Sequence, residues 1–183
     1  HGLRQERVAV APGHLVAFKV ILGLTFEKAP FALEDQLVRL LDHHDPAAAA
    51  RFDWRALNGA TPVRQQGLCG SCWIFSAHGA AEGSWLVANQ SAIDSSEQNT
   101  LDCISEGSAC DGGWPSQALD FLQSRGSALE SSYRYQAKKG SCDRSVSQPF
   151  RLVDWGYVGD GDGVPVVERL KEALCFYGPL SVA

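Results

Sequence analysis

The residues of this 183-residue chain best suited to chemistry are its six cysteines. They are densest in Gln66-Gly67-Leu68-Cys69-Gly70-Ser71-Cys72-Trp73. Three chemistries compete for that stretch. A redox Cys-x-x-Cys pair, Cys69 and Cys72, could open a helix, because a helix N-terminus favours thiolate chemistry. Such a site needs a βαβ pattern around it, and the flanks here read as loop before and long helix after. A zinc site from Cys69, Cys72, Cys103 and Cys110 has only one knuckle of suitable length, since six residues separate Cys103 from Cys110. A nucleophilic cysteine among structural disulfides fits better. Cys72 would sit at the positive end of a helix dipole, and Gln66 could offer an amide N–H to a developing oxyanion beside the Cys72 backbone N–H.

The elements that must position these residues can be read around them. Turn and cap chemistry at Gly67, Gly70 and Ser71 predicts a helix from about Cys72 to Ala88. Ser96-Glu97 opens a second helix toward Cys103. Pro115 suits the first turn of a third, running to about Ser124 and closed by Gly126. Glu168 to Phe176 reads as amphipathic, ended by Gly178-Pro179, and Leu180 to Ala183 reads as the start of a strand. Ahead of Phe52 the pattern changes. Arg7 to Leu22 alternates like strand, and Leu33, Leu37, Leu40 and Leu41 mark one face of a helix over Phe31 to His44, which Asp45-Pro46 stops.

Composition excludes several functions. The net charge is -5, and no basic stripe is available, which argues against nucleic acid as a partner. No apolar run approaches the length of about 18 residues that a membrane helix needs. Six cysteines suit an oxidising or acidic setting, whether secreted, lysosomal or periplasmic. No methionine is present, not even at position 1, and the expectation is a processed chain or a fragment.

Residues 69 to 73 match the Cys-Gly-(Ser/Ala)-Cys-(Trp/Tyr) signature of papain and the cathepsins, and the resemblance to the papain family of cysteine peptidases extends from about 52 to 183. Phe52-Asp53-Trp54-Arg55 resembles the start of the mature domain, and Thr61-Pro62-Val63-Arg64-Gln65-Gln66-Gly67 the approach to the nucleophile. Ser96-Glu97-Gln98 with Leu101-Asp102-Cys103 resembles the second helix. Cys110-Asp111-Gly112-Gly113-Trp114-Pro115 resembles the substrate-cleft loop. Glu130-Ser131-Ser132-Tyr133-Arg134-Tyr135 resembles the turn that follows, with Arg134 where proline is usual. Tyr177 to Ala183 resembles the strand entering the second domain.

The resemblance implies an α+β, two-domain papain-like fold: a helical domain over 52–148 and a β-rich domain begun over 149–183. It implies a peptidase acting through a thioester, with Cys72 as nucleophile, Gln66 and the Cys72 N–H as oxyanion hole, and no metal or cofactor. It pairs Cys69 with Cys110 and Cys103 with Cys142, each bridge closing a loop of roughly 40 residues and contributing about 3–4 kcal/mol. It places Gly112 and Gly113 against a peptide substrate, and Trp114, Pro115 and Ala183 around the pocket for the second side chain upstream of the cut. Cys175 is left as a buried, inert thiol or as a bond to a further segment. With no room between Gly113 and Cys142 for a cleft-blocking insertion, an endopeptidase is favoured over a carboxydipeptidase.

Family spacing puts the catalytic histidine and asparagine at about 200 to 220. The expectation is therefore that continuing polypeptide or a second chain supplies them, and that this chain alone is inactive. The alternative is a non-catalytic papain-like scaffold. His78 does not substitute, since six helical residues from Cys72 amount to about 9 Å of rise and about 240° of rotation; a core or surface role is expected. His43-His44 reads as a solvated helix end. Residues 1–51 stand where a prosegment would. Their strand-then-helix pattern is similar to prosegments of sedolisin-type peptidases, the alternative being a plain accessory extension.

Overall fold

The computed structural model describes residues 51–105, 109–158 and 165–182. The strand and helix expected over Arg7 to His44, the histidines there, and Ala183 lie outside the described residues. Among the described residues four α-helices carry the fold: α1 (Cys72–Asn89), α2 (Glu97–Cys103), α3 (Pro115–Ser124) and α4 (Val167–Tyr177). Short 3-10 turns stand at Trp54–Leu57 and Ala109–Asp111. No strand forms among the described residues; isolated bridges join Ser95 to Leu129 and Ser127 to Phe150. The helices begin and end within about a residue of where the sequence predicts them. Over 180–182 the chain is irregular.

Helix α1 is the central element. Trp73, Ile74, Ala77, His78, Ala80, Ala81, Glu82, Gly83 and Ser84 are all buried, as expected of a helix covered on most sides. It packs most extensively on α3 and less on α2. Ile74, Leu101, Leu119, Leu122, Phe150 and Leu152 form the densest part of the core. Each such side chain contributes about 1.5–3 kcal/mol by leaving water. Gly83 weakens the helix interior, but a Cβ there would stand 2.5 Å from Pro179 Cγ. The glycine is what lets the 178–182 segment lie against α1. That segment is tied down by Ser84 Oγ donating to Tyr177 O at 3.0 Å and Ser76 Oγ donating to Val182 O at 3.1 Å. Trp54 Nε1 donates to Leu174 O at 2.7 Å and fixes α4 to the start of the domain.

Helix α2 inverts the usual pattern. Glu97, Gln98, Asn99, Thr100 and Asp102 are all buried. Buried polar groups must find partners, and here the loops supply most of them. Gln98 Nε2 donates to Lys138 O and to Asp102 Oδ1, both at 2.8 Å, and Gln98 Oε1 accepts from Gln136 N at 2.8 Å. Asn99 Oδ1 accepts from Ala128 N at 3.1 Å and Gln148 Nε2 at 3.0 Å. Asp102 accepts from Gly140 N at 2.6 Å and Tyr133 Oη at 3.0 Å. The 127–148 region is thus wound on a polar axle. Ser96, the expected cap, accepts from Asn99 N at 3.0 Å.

Candidate active site

Cys72 is the first residue of α1 and carries an exposed, free thiol. The segment leading to it is folded on itself and on the 109–113 loop. Gly70 N donates to Cys110 O at 2.7 Å, and Ser71 N donates to Cys69 O at 2.8 Å. Any side chain at Gly70 would drive a Cβ to 2.3 Å from Cys110 O. The Cys69–Cys110 disulfide fastens the same junction, and Cys103–Cys142 fastens α2 to the loop beyond Tyr135. Both are the pairings that the family resemblance implied. With Cys69 bound to Cys110, the redox pair with Cys72 is excluded. With Cys69, Cys103 and Cys110 all oxidised, so is the zinc reading.

Ser71 occupies the N-cap position of α1 but makes no side-chain cap hydrogen bond. Neither the Cys72 nor the Trp73 backbone N–H donates to a described residue. These are the N–H groups that a helix N-terminus leaves without intrahelical partners, and they carry its positive end. Gln66 is six residues ahead of Cys72 in the same segment. Its Nε2 donates to Cys69 O at 2.9 Å, which leaves a second N–H on that amide.

The glycine pair borders this centre for two different physical reasons. Gly112 has φ +116, and a Cβ on it would meet nothing within 4 Å. Gly113 is crowded: its Cβ would fall 2.5 Å from Trp73 Cε2. Trp73 is itself held, buried and donating Nε1 to Ala109 O at 3.2 Å. Trp114 is 49% exposed, whereas Pro115 is fully buried at the start of α3. Trp114 N donates to Gln117 Oε1 at 2.9 Å, which closes the helix start.

Sequence reasoning missed a buried polar cluster behind α1. His78 is fully buried, as the core reading expected, and both ring nitrogens are engaged. Nδ1 is 2.7 Å from Ser95 Oγ and Nε2 2.9 Å from Thr100 Oγ1. Burial holds its pKa down to about 3, so the ring is neutral and committed to the core. Glu82 Oε1 accepts from Ser95 N at 2.7 Å and Ser95 Oγ at 2.8 Å, and its Oε2 accepts from Thr61 Oγ1 at 3.0 Å. Burial pushes the pKa of Glu82 up, and that of Glu97 up to about 8. Both line a cavity of about 310 Å3 with Thr61, Phe75 and Ser76. A lone carboxylate among the alanines and glycines of α1 was the available signal for Glu82.

The model of the papain family cysteine proteases matches residues 48–183, and the chain belongs to that family. It is 42% identical to cysteine proteinase 5 of Dictyostelium discoideum over 139 residues, covering 75% of this chain and 39% of that protein. It is 38% identical to procathepsin L of Rattus norvegicus over 135 residues, covering 72% of this chain and 39% of that protein. The chain therefore spans about two fifths of the length of these relatives. Among solved structures, the Carica candamarcensis cysteine protease CMS1MS2 in complex with E-64 superposes with a TM-score of 0.53 at 36% identity, covering 56% of this chain and 49% of that one.

Proposed function

We propose that this chain is the nucleophile-bearing part of a cysteine peptidase that hydrolyses peptide bonds through a thioester. The observation that carries the reading is the free, exposed Cys72 at the first position of α1, where the helix N–H groups are uncapped, with the Gln66 amide bonded to Cys69 O three residues ahead of it. Cys72 Sγ would attack the carbonyl carbon of the scissile peptide. The carbonyl oxygen, taking the negative charge, would be met by the Cys72 N–H and Gln66 Nε2. Collapse expels the amine with a proton and leaves the thioester, which water then cleaves to the acid and the free thiol. The histidine and asparagine of the papain-type set would come from polypeptide beyond residue 183 or from a second chain, at about 130–150 residues past the cysteine in family spacing.

Residues 52–148 serve as the helical domain, 149–183 open the second domain, and 1–51 stand as an extension in the place of a prosegment. Peptide binding would fall to Gly112, Gly113 and the exposed Trp114, with Pro115 supporting the loop from beneath and Ala183 contributing from the 178–183 segment. The passage from Gly113 into α3 supports an endopeptidase, since only Trp114 stands between the two. The two disulfides support an oxidising or secretory compartment.

The test is alkylation of the native protein at about pH 5 and about pH 8, bracketing the range where an ordinary thiol changes reactivity, with the labelled peptide located by mass. Rapid labelling of Cys72 at the lower pH, together with hydrolysis of a fluorogenic peptide, is expected when the histidine is present. Labelling only at the higher pH in the full-length protein, with no hydrolysis, would mean a non-catalytic scaffold.

A further inference from the structure

Tyr135 lies far from Cys72 in sequence, yet its hydroxyl touches two residues of the segment that leads into the nucleophile. It donates to Gln66 O at 2.9 Å and lies 2.6 Å from Ser71 Oγ. A carbonyl only accepts, so the tyrosine proton goes to Gln66 and Ser71 must donate to the tyrosine oxygen. The other acceptor near Ser71 Oγ, Cys69 O, is at 3.5 Å. This accounts for the idle cap. Serine at an N-cap ordinarily accepts from the N–H of the second or third helical residue, but here the hydroxyl is drawn aside into the Tyr135 bond.

We propose that Tyr135 is a positioning residue for the Cys72 reaction, holding Gln66 and the uncapped start of α1 in one fixed register. Gln66 carries the side-chain donor of the oxyanion pair and Cys72 the backbone donor. Tyr135 bonds the peptide carbonyl of the first and the residue preceding the second. By turning Ser71 Oγ toward itself it also keeps that oxygen away from the α1 N–H groups, which stay open to developing negative charge. The tyrosine is well placed to do this. Its ring meets Phe75 edge-on at 4.9 Å. Its own N–H donates to Glu130 Oε1 at 2.9 Å, and the next residue's N–H to Gln98 Oε1 at 2.8 Å. Burial raises the pKa of the phenol above its ordinary value, so it stays a protonated donor.

The inference rests on the peptidase reading above. The experiment compares Tyr135→Phe, Ser71→Ala and the double variant in the full-length enzyme, with rates normalised to sites titrated by a peptidyl epoxide and amide exchange followed in parallel. Tyr135→Phe keeps the ring and its contact with Phe75. It is expected to lower kcat about tenfold, the scale of one hydrogen bond, with KM within about twofold of the parent. The double variant should lose no more than the worse single variant. Exchange over residues 66–72 should quicken while that of α3 stays unchanged. A normal kcat, a loss carried by KM, or a double variant equal to the product of the singles would overturn the proposal. If the parent enzyme neither turns over peptide nor takes the epoxide, the peptidase reading has failed. The exchange result then decides alone: unchanged exchange over 66–72 in Tyr135→Phe would sink the positioning role, and faster exchange would sustain it.

Discussion

Gly113 stands so close to Trp73 that a methyl group on it would lie 2.5 Å from the indole. The indole cannot step aside, being buried and bonded to Ala109 O. Gly113→Ala is therefore an overpacking change, expected to cost about 1–3 kcal/mol and to move the loop. Gly112→Ala has open space for its methyl but must hold φ +116, a backbone cost of about 1–2 kcal/mol. Thermal unfolding of the two variants should show both losses. Substrate KM should move more for Gly112→Ala, whose methyl stands in open space where the proposed peptide would bind. Equal stability of parent and Gly113→Ala would show that the glycine is not needed for the Trp73 contact.

Stability should peak between about pH 4.5 and pH 6.5, because His78 and Glu97 pull in opposite directions. The pKa of His78 falls from its ordinary 6.5 to about 3 on folding. Below pH 6.5 the unfolded chain binds a proton that the folded one refuses, so stability is fully present above 6.5 and is lost as pH falls toward 3. The pKa of Glu97 rises from 4.5 to about 8. Between those values the folded chain keeps a proton that the unfolded one has released, so stability falls as pH rises through 8. Each limb has a slope of up to about 1.4 kcal/mol per pH unit. Glu82 and Glu130, also raised by burial, add to the alkaline limb. Urea unfolding across pH 4 to 8 measures both limbs. Glu97→Gln should flatten the decline above pH 6.5, and a decline as steep as the parent's would remove Glu97 from the account.

Much of this was legible before any coordinates. Helix α1 announces itself through Ser71 and an alanine-rich run without proline, and Pro115 and Gly126 bracket α3 as turn chemistry requires. Cys72 and Gln66 could be put forward together because the proposed nucleophile and its proposed donor lie six residues apart in one motif. Both disulfides followed from family resemblance, since spacing alone could not choose among pairings. What stayed hidden depends on distant partners. The polar side chains of α2 carry no local sign of burial, and only the 127–148 region, by bonding Gln98, Asn99 and Asp102, makes that burial affordable. Tyr135 gave no local sign because its partners, Gln66 and Ser71, are over sixty residues earlier in the chain. The masking of Ser71 as a cap was equally unreadable, since the residue type alone argues for capping.

Asp102 and the Cys103–Cys142 bridge restrain the same loop from adjacent positions on α2, and their contributions should not add. Asp102 accepts from Gly140 N, Tyr133 Oη and Gln98 Nε2, so Asp102→Ala removes the shared acceptor of one buried and two partly exposed donors, at a cost of about 1–3 kcal/mol. Cutting the bridge, which spans 39 residues, releases about 4 kcal/mol of unfolded-chain restraint. Once the bridge is gone, residues 133–142 must be ordered by hydrogen bonds alone, and opening the loop already weakens those that Asp102 makes. Removing Asp102 from the bridge-free protein should then cost less than removing it from the parent. A double-mutant cycle of Asp102→Ala against Cys103→Ala/Cys142→Ala, read by urea unfolding, should give a coupling of about 1–2 kcal/mol. Additivity within about 0.5 kcal/mol would mean that the carboxylate and the disulfide hold separate parts of the loop.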